Sequence, residues 1–152
     1  MKLFLAPLQG FTTAEFRNLH EKHFGAIDAY FTPFVRLEKD ALRRRDVRDI
    51  ESSTVSRLIP QVLASNADEL EKIIELLRPL ELKEIDLNCG CPFPPVCNKG
   101  RGAGVLADPD TFAEMLDCIA RHKDISFSLK MRLGLKSADE IKELVPSSIR
   151  RN

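Results

Sequence analysis

No apolar run in this chain approaches the roughly 20 residues a bilayer span needs, so no membrane partner is expected. The opening M-K-L-F-L-A-P-L-Q-G is not a secretion signal either. Its apolar part breaks at Pro7 and Gln9, and no small-residue cleavage site follows. Net charge is also missing, with 23 basic residues balancing 23 acidic ones. Composition therefore gives no argument for a nucleic-acid partner, although a locally basic surface is compatible with it. Cysteines number 4 in 152 residues, too few for a disulfide-dense scaffold. Without a secretion signal, they are expected as free thiols in the cytoplasm. Internal repeats, linkers and low-complexity segments are absent. What is present is ordinary globular composition, 43% hydrophobic and 30% charged, enough to bury the core of one domain.

The hydrophobic pattern alternates strand and helix five times. Residues 3–5 read as a strand, and Gln9-Gly10 as a turn. Thr12 with Glu15 fits a capping box for a helix that carries Phe16 and Leu19 on one face and stops at Gly25. Residues 26–31 read as the second strand. Residues 36–57 are aperiodic, with Arg43, Arg44, Arg45 and Arg48 beside Asp46, Asp49 and Glu51. That pattern suits a short helix whose charged face is either merely solvated or phosphate-contacting. Residues 58–63 form the third strand, with Pro60 awkward inside it because a central strand uses its N–H. Asn66 caps the next helix, whose apolar face is Leu70, Ile73, Ile74 and Leu77. Residues 83–87 are the fourth strand. Asp108-Pro109 starts a helix lined by Phe112, Met115, Leu116 and Ile119, with Cys118 beside that face as a structural residue. Residues 125–131 are the fifth strand. Ser137 and Glu140 box a last helix through Ile141, Leu144 and Val145, ended by Pro146. Strand-helix alternation implies a parallel sheet with helical crossovers, open or curled into a barrel. A complete (β/α)₈ barrel takes roughly 250 residues, and this chain supplies about five of its units.

Chemistry is concentrated in residues 84–106. A strand ends at Asn88 and runs into a loop holding Cys89, Cys91 and Cys97 among Gly90, Pro92, Pro94 and Pro95. Ligands of such sheets bind at that end of the strands. The C-x-C-x5-C spacing is not a common zinc pattern, and His20, His23 and His122 have no ligand-like spacing to it, so no metal site is expected. A single reactive thiol fits better, and spacing alone leaves open which one. Gly100-Arg101-Gly102-Ala103-Gly104 lacks both the G-x-G-x-x-G order and the P-loop ending, so its glycines either hold a phosphate or shape the loop. Gln61 and Lys130 interrupt apolar strands. Either both grip a polar heterocycle at one end of the sheet, or Lys130 lies at a wet strand end and pairs with Asp86.

Five segments together resemble the tRNA-dihydrouridine synthases: A-P-L-Q-G-F-T-T-A-E-F-R at 6–17, P-Q-V at 60–62, D-L-N-C-G-C-P at 86–92, K-G-R-G-A-G-V-L at 99–106 and K-M-R-L-G at 130–134. They follow the family's order and span nearly the whole chain. The resemblance implies an FMN-binding (β/α)₈ barrel that uses NADPH to reduce a tRNA uridine to 5,6-dihydrouridine. It implies Cys91 as the general acid and leaves Cys89 at a variable position. It implies Ala6, Pro7, Gln61, Lys130 and Asn88 beside the flavin, Asn88 and Arg132 on the substrate side, and Arg17 as a structural or RNA-side residue. A neutral thiol suits proton donation to C5 of the uracil, because ordinary thiols stay mostly protonated at neutral pH. Thr13 stands where the family usually has Asp. The family's flavin-side histidine, its phosphate loops and its helical tRNA-binding domain have no counterpart here. The expectation is thus a partial (β/α)₈ barrel, the N-terminal portion of the flavin domain, inactive alone and prone to dimerise through exposed sheet edges. The competing readings are another FMN barrel acting on pyrimidines, of the dihydroorotate or dihydropyrimidine dehydrogenase type, and a non-catalytic half-barrel that self-associates.

Overall fold

In a computed structural model that describes residues 1–144, parallel pairing runs through the chain in sequence order. β1 (Phe4–Leu5) pairs with β2 (Ala29–Phe31), and β2 pairs with β5 (Leu58–Ile59). Farther along, β6 (Gln61–Val62) pairs with β7 (Glu84–Cys89), and β7 with β8 (Ser126–Met131). β5 and β6 are the expected third strand, broken at Pro60, which has no N–H to give. The Pro60 carbonyl still accepts from Asp86 N at 2.9 Å, and a lone bridge joins Val35 to Val62, so the two three-stranded sheets run on from each other. The result is a mixed α/β fold with alternating strands and helices. Among the described residues β1 and β8 do not pair, and the sheets do not close into a barrel.

The helices cover one face. α3 (Ala67–Leu77) buries Leu70, Ile73, Ile74 and Leu77 as its pattern demands, and the Asn66 side chain caps it by accepting from Glu69 N at 2.8 Å. α5 (Pro109–Arg121) begins with Asp108 accepting from Thr111 N at 3.2 Å and buries Phe112, Met115 and Leu116. Ile85, Leu87 and Cys89 of β7 meet these helices in the core. The period-2 alternation of a strand then turns Glu84, Asp86 and Asn88 to the opposite face.

Four expectations need correction. The cap of α1 (Ala14–His23) is Thr13, not Thr12, and it makes no side-chain capping bond. The Thr12 hydroxyl is occupied instead by the backbone of Leu8, accepting from its N–H at 2.9 Å. Phe16 and Leu19 are exposed rather than core-facing, and α1 buries Ala14 and Arg17. The aperiodic stretch contains a hairpin of β3 (Leu37–Glu38) and β4 (Ala41–Leu42), followed by α2 (Arg44–Glu51). Its two-residue turn places Lys39 and Asp40 in the left-handed region, at φ 49° and 65°, without the glycine or asparagine that announces such turns. The Ser137–Glu140 capping box is present, but on a 3₁₀ turn, Ala138–Glu140, with residues 141–144 helical after it. Val145 and Pro146 lie outside the described residues.

Candidate active site

On the face away from the helices, a hydrogen-bonded chain links three strands to the cysteine loop. Register puts Gln61, Asp86 and Ser128 on one rung, and Asn88 and Lys130 on the next. Asp86 is the hub, only 2% exposed. It accepts from Ser128 Oγ at 2.6 Å and from Gln61 Nε2 at 2.7 Å. Gln61 Oε1 then accepts from Asn88 Nδ2 at 2.7 Å, and Asn88 Oδ1 accepts from the N–H groups of Gly90 and Cys91, each at 3.0 Å. Thr32 Oγ1 holds the Gln61 N–H at 3.1 Å. Burial raises the Asp86 pKa, against the lowering effect of the Ser128 and Gln61 hydrogen bonds and the charge of Lys130.

Asn88 bends the chain sharply after Cys89, so the two neighbouring cysteines part. Cys89 ends β7 on the core side, 0% exposed, its thiol pushed up to about 12 by burial and then by the Asp86 charge. Cys91 is half-buried on the loop. Its N–H goes to Asn88, while its carbonyl accepts from Ala103 N at 3.0 Å and from Cys97 Sγ at 3.2 Å. Cys97 thus steadies the backbone that carries Cys91.

The glycine-rich segment explains itself through the same loop. Gly102, at φ +57°, lies so close to Cys91 that a Cβ would stand 2.8 Å from its carbonyl oxygen, and Gly104 packs as closely on Cys97. These glycines admit the cysteine loop. Arg101 forms an ion pair with Glu69 at the start of α3.

Of the other residues singled out from sequence, Ala6 and Pro7 follow β1 directly. Lys130 is exposed near the end of β8, and no ion pair joins it to Asp86 among the described residues. Exposure removes the need for a buried counter-ion. Arg132 is exposed just beyond β8, where Gly90 approaches the backbone of residues 130–132. Arg17 is fully buried, donating to the Thr12 carbonyl at 2.7 Å and pairing with Asp49 at 3.0 Å, a structural tie between α1 and α2. Sequence reasoning missed the roles of Asp86 as hub, of Ser128 as its support and of Ala103 as the donor that holds the Cys91 carbonyl. The available signal was the alternation E-I-D-L-N, which puts Asp86 on the face of Asn88.

This cysteine loop and its strand-borne polar residues fall within residues 4–147, which match the family model for dihydrouridine synthase. The chain belongs to the dihydrouridine synthase family. It is similar to a probable tRNA-dihydrouridine synthase of Helicobacter pylori strain J99, 32% identical over 88% of this chain and 42% of the relative. It is also similar to tRNA-dihydrouridine synthase B of Pseudomonas aeruginosa, 32% identical over 88% of this chain and 40% of that protein. Probable tRNA-dihydrouridine synthase 2 of Bacillus subtilis is 28% identical over 91% and 43%. The chain thus spans less than half the length of these dihydrouridine synthase relatives. No helix among the described residues is long and apolar enough to cross a membrane.

Proposed function

We propose that this chain is the N-terminal portion of an FMN-dependent barrel that reduces a uridine in tRNA with NADPH, with Cys91 as general acid. The five strands in sequence order are, in this reading, the first β/α units of a (β/α)₈ barrel. The remaining strands and the helical tRNA-binding domain correspond to what the longer relatives carry beyond it. The observation that carries the reading is the clamp on Cys91: its N–H and carbonyl are both held, while Cys89 is sealed in the core. A proton donor fixed this way works by position.

The residues present suit the ring of FMN better than its phosphate. Lys130 offers an exposed ammonium one strand from Asn88. Gln61 keeps one amide N–H beyond the one that Asp86 takes. By contrast, the space beside Gly102 and Gly104 is filled by the cysteine loop, so this turn does not supply a phosphate cradle. Lys130 and Gln61 would hold the polar edge of the ring, with Asn88, Ala6 and Pro7 along it. A bound flavin would supply the hydride that the uracil ring takes up at C6. Cys91 gives its proton to C5 from the other side, Asn88 keeps the loop in place, and Arg132 faces the RNA. The base must leave the RNA stack to reach this site. As an isolated chain this portion is inactive and self-associates through its open sheet edges. The protein is expected to work in the cytoplasm.

The test is single-turnover dihydrouridine formation on tRNA by the complete barrel protein. Cys91→Ala should slow it by about 10²–10⁴, while Cys89→Ala and Cys97→Ala lose far less. A normal rate for Cys91→Ala with a dead Cys89→Ala reverses the assignment.

A further inference from the structure

On the helix-covered side, away from the cysteine loop, Glu71 of α3 meets Cys118 of α5 and His122 at its C-terminal cap. Cys118 and His122 are four residues apart, one helical turn, and so present on one face. One donor atom from each of the three residues lies within 4.8 Å of the others. Cys118 Sγ is 3.4 Å from Glu71 Oε2, and His122 Nε2 is 2.9 Å from Glu71 Oε1. Cys118 and His122 are buried, and His122 Nε2 is a buried nitrogen that makes no hydrogen bond despite that short separation. Cys118 Sγ and His122 Nε2 thus converge on the two oxygens of one carboxylate. A tetrahedral zinc ion with its usual bonds to S, N and O sets its donors about 3.3–3.6 Å apart; the 3.4 Å S···O separation fits that spacing, and the 2.9 Å N···O separation must open by about 0.5 Å.

We propose that Glu71, Cys118 and His122 form a Zn²⁺ site that fastens α3 to α5, with water in the fourth position. Thiolate, imidazole and carboxylate are the donor types zinc takes. Glu71 is the half-exposed member and leaves the solvent side open.

Two arginines set the strength of the site. Arg121 Nη2 lies 3.0 Å from Glu71 Oε2, and Arg78 Nη2 lies 2.9 Å from His122 Nδ1. A guanidinium only donates, so without metal Nδ1 accepts and the ring proton sits on Nε2. Zinc needs the Nε2 lone pair, which moves that proton to Nδ1, opposite Arg78. Arg78 must then rest on Glu75 and Asp124, which already hold its Nε at 2.7 Å and Nη1 at 2.8 Å. Zinc also displaces the thiol proton of Cys118, whose pKa burial and Glu71 push up to about 12. Asp68 on α3 and Asp117 and Arg121 on α5 add their charges around these groups, with Asp124 beyond the helix end. Binding is therefore weaker than at a four-ligand structural site.

The experiment uses the tag-free chain, with Zn²⁺ followed by calorimetry and Co²⁺ by absorption. One ion should bind per chain, with a thiolate-to-Co²⁺ charge-transfer band that Cys118→Ser abolishes. His122→Gln should weaken binding by about 10–100-fold or more. Arg78→Gln, at an exposed position that leaves the core untouched, gives Nδ1–H an acceptor in place of a competing donor and should tighten binding by about tenfold. Binding weaker than about 1 mM, a Co²⁺ spectrum unchanged in Cys118→Ser, or looser binding in Arg78→Gln would each overturn the proposal.

Discussion

Asp86 costs the fold something in its ionised form. Its carboxylate is buried, and the hydrogen bonds from Ser128 and Gln61 do not fully replace water, so its pKa lies above the ordinary 3.8. Between 3.8 and that raised value the native chain holds more protons than the unfolded one. Stability from this group is thus full below 3.8 and falls as pH rises through the folded pKa. Asp86→Asn removes the titration and keeps an oxygen for Gln61. Relative to wild type, the variant should gain stability on going from acid to neutral pH, as read by denaturant unfolding at both. A relative loss over that interval would show that ionised Asp86 stabilises the fold. Little of this was legible in the sequence. The thiol-bearing loop is evident from its prolines and glycines, but the pairing of Asp86 with Gln61 and Ser128 depends on strand neighbours and register. The Cys89–Cys91 choice was open for a similar reason: spacing cannot reveal that Asn88 bends the chain between them.

Elements with strong local signals form where the sequence puts them. α3 and α5 carry both an apolar period and a side-chain cap, and the structure shows both. α1 reads wrongly because its apolar positions, Phe16 and Leu19, face outward while an arginine occupies the buried one, a reversal that Asp49, the Thr12 carbonyl and Ser53 make tolerable. The β3–β4 hairpin was hidden by a left-handed turn built from lysine and aspartate. The glycine-rich segment allows a direct test of what its glycines do. Gly102→Ala combines a left-handed φ, worth about 1–2 kcal/mol, with a Cβ placed 2.8 Å from the Cys91 carbonyl oxygen. Gly100→Ala has a similar φ of +66° but only a loose 3.8 Å contact with Ser65. Both should destabilise, whereas only Gly102→Ala should change the alkylation rate of Cys91, followed by peptide mass. Equal effects on Cys91 would mean the segment does not support the loop.

At the scale of the whole molecule, the apolar surface is unevenly distributed. Leu3, Phe4, Leu8, Phe11, Phe16, Leu19 and Phe24 are all exposed, and all belong to the first strand, the first helix and the turns around them. Scattered exposed apolar side chains are normal, but a concentration on one unit marks a surface that association covers. Among the described residues β1 also leaves one side of its backbone unpaired, as does β8 at the other end of the strand order, and unpaired parallel edges template further pairing. A second copy of the chain meets both needs, since β1 of one copy can lie along β8 of the other and the reverse contact follows by two-fold symmetry. Sedimentation equilibrium of the isolated chain should therefore give a mass above that of one 17.2 kDa chain. Phe16→Glu combined with Leu19→Glu should lower that mass without unfolding the chain, because both side chains already face water in the single copy. If the wild-type chain sediments as a monomer and unfolds cooperatively, the exposed face and edges are tolerated as they stand, and the association proposed for this chain is wrong.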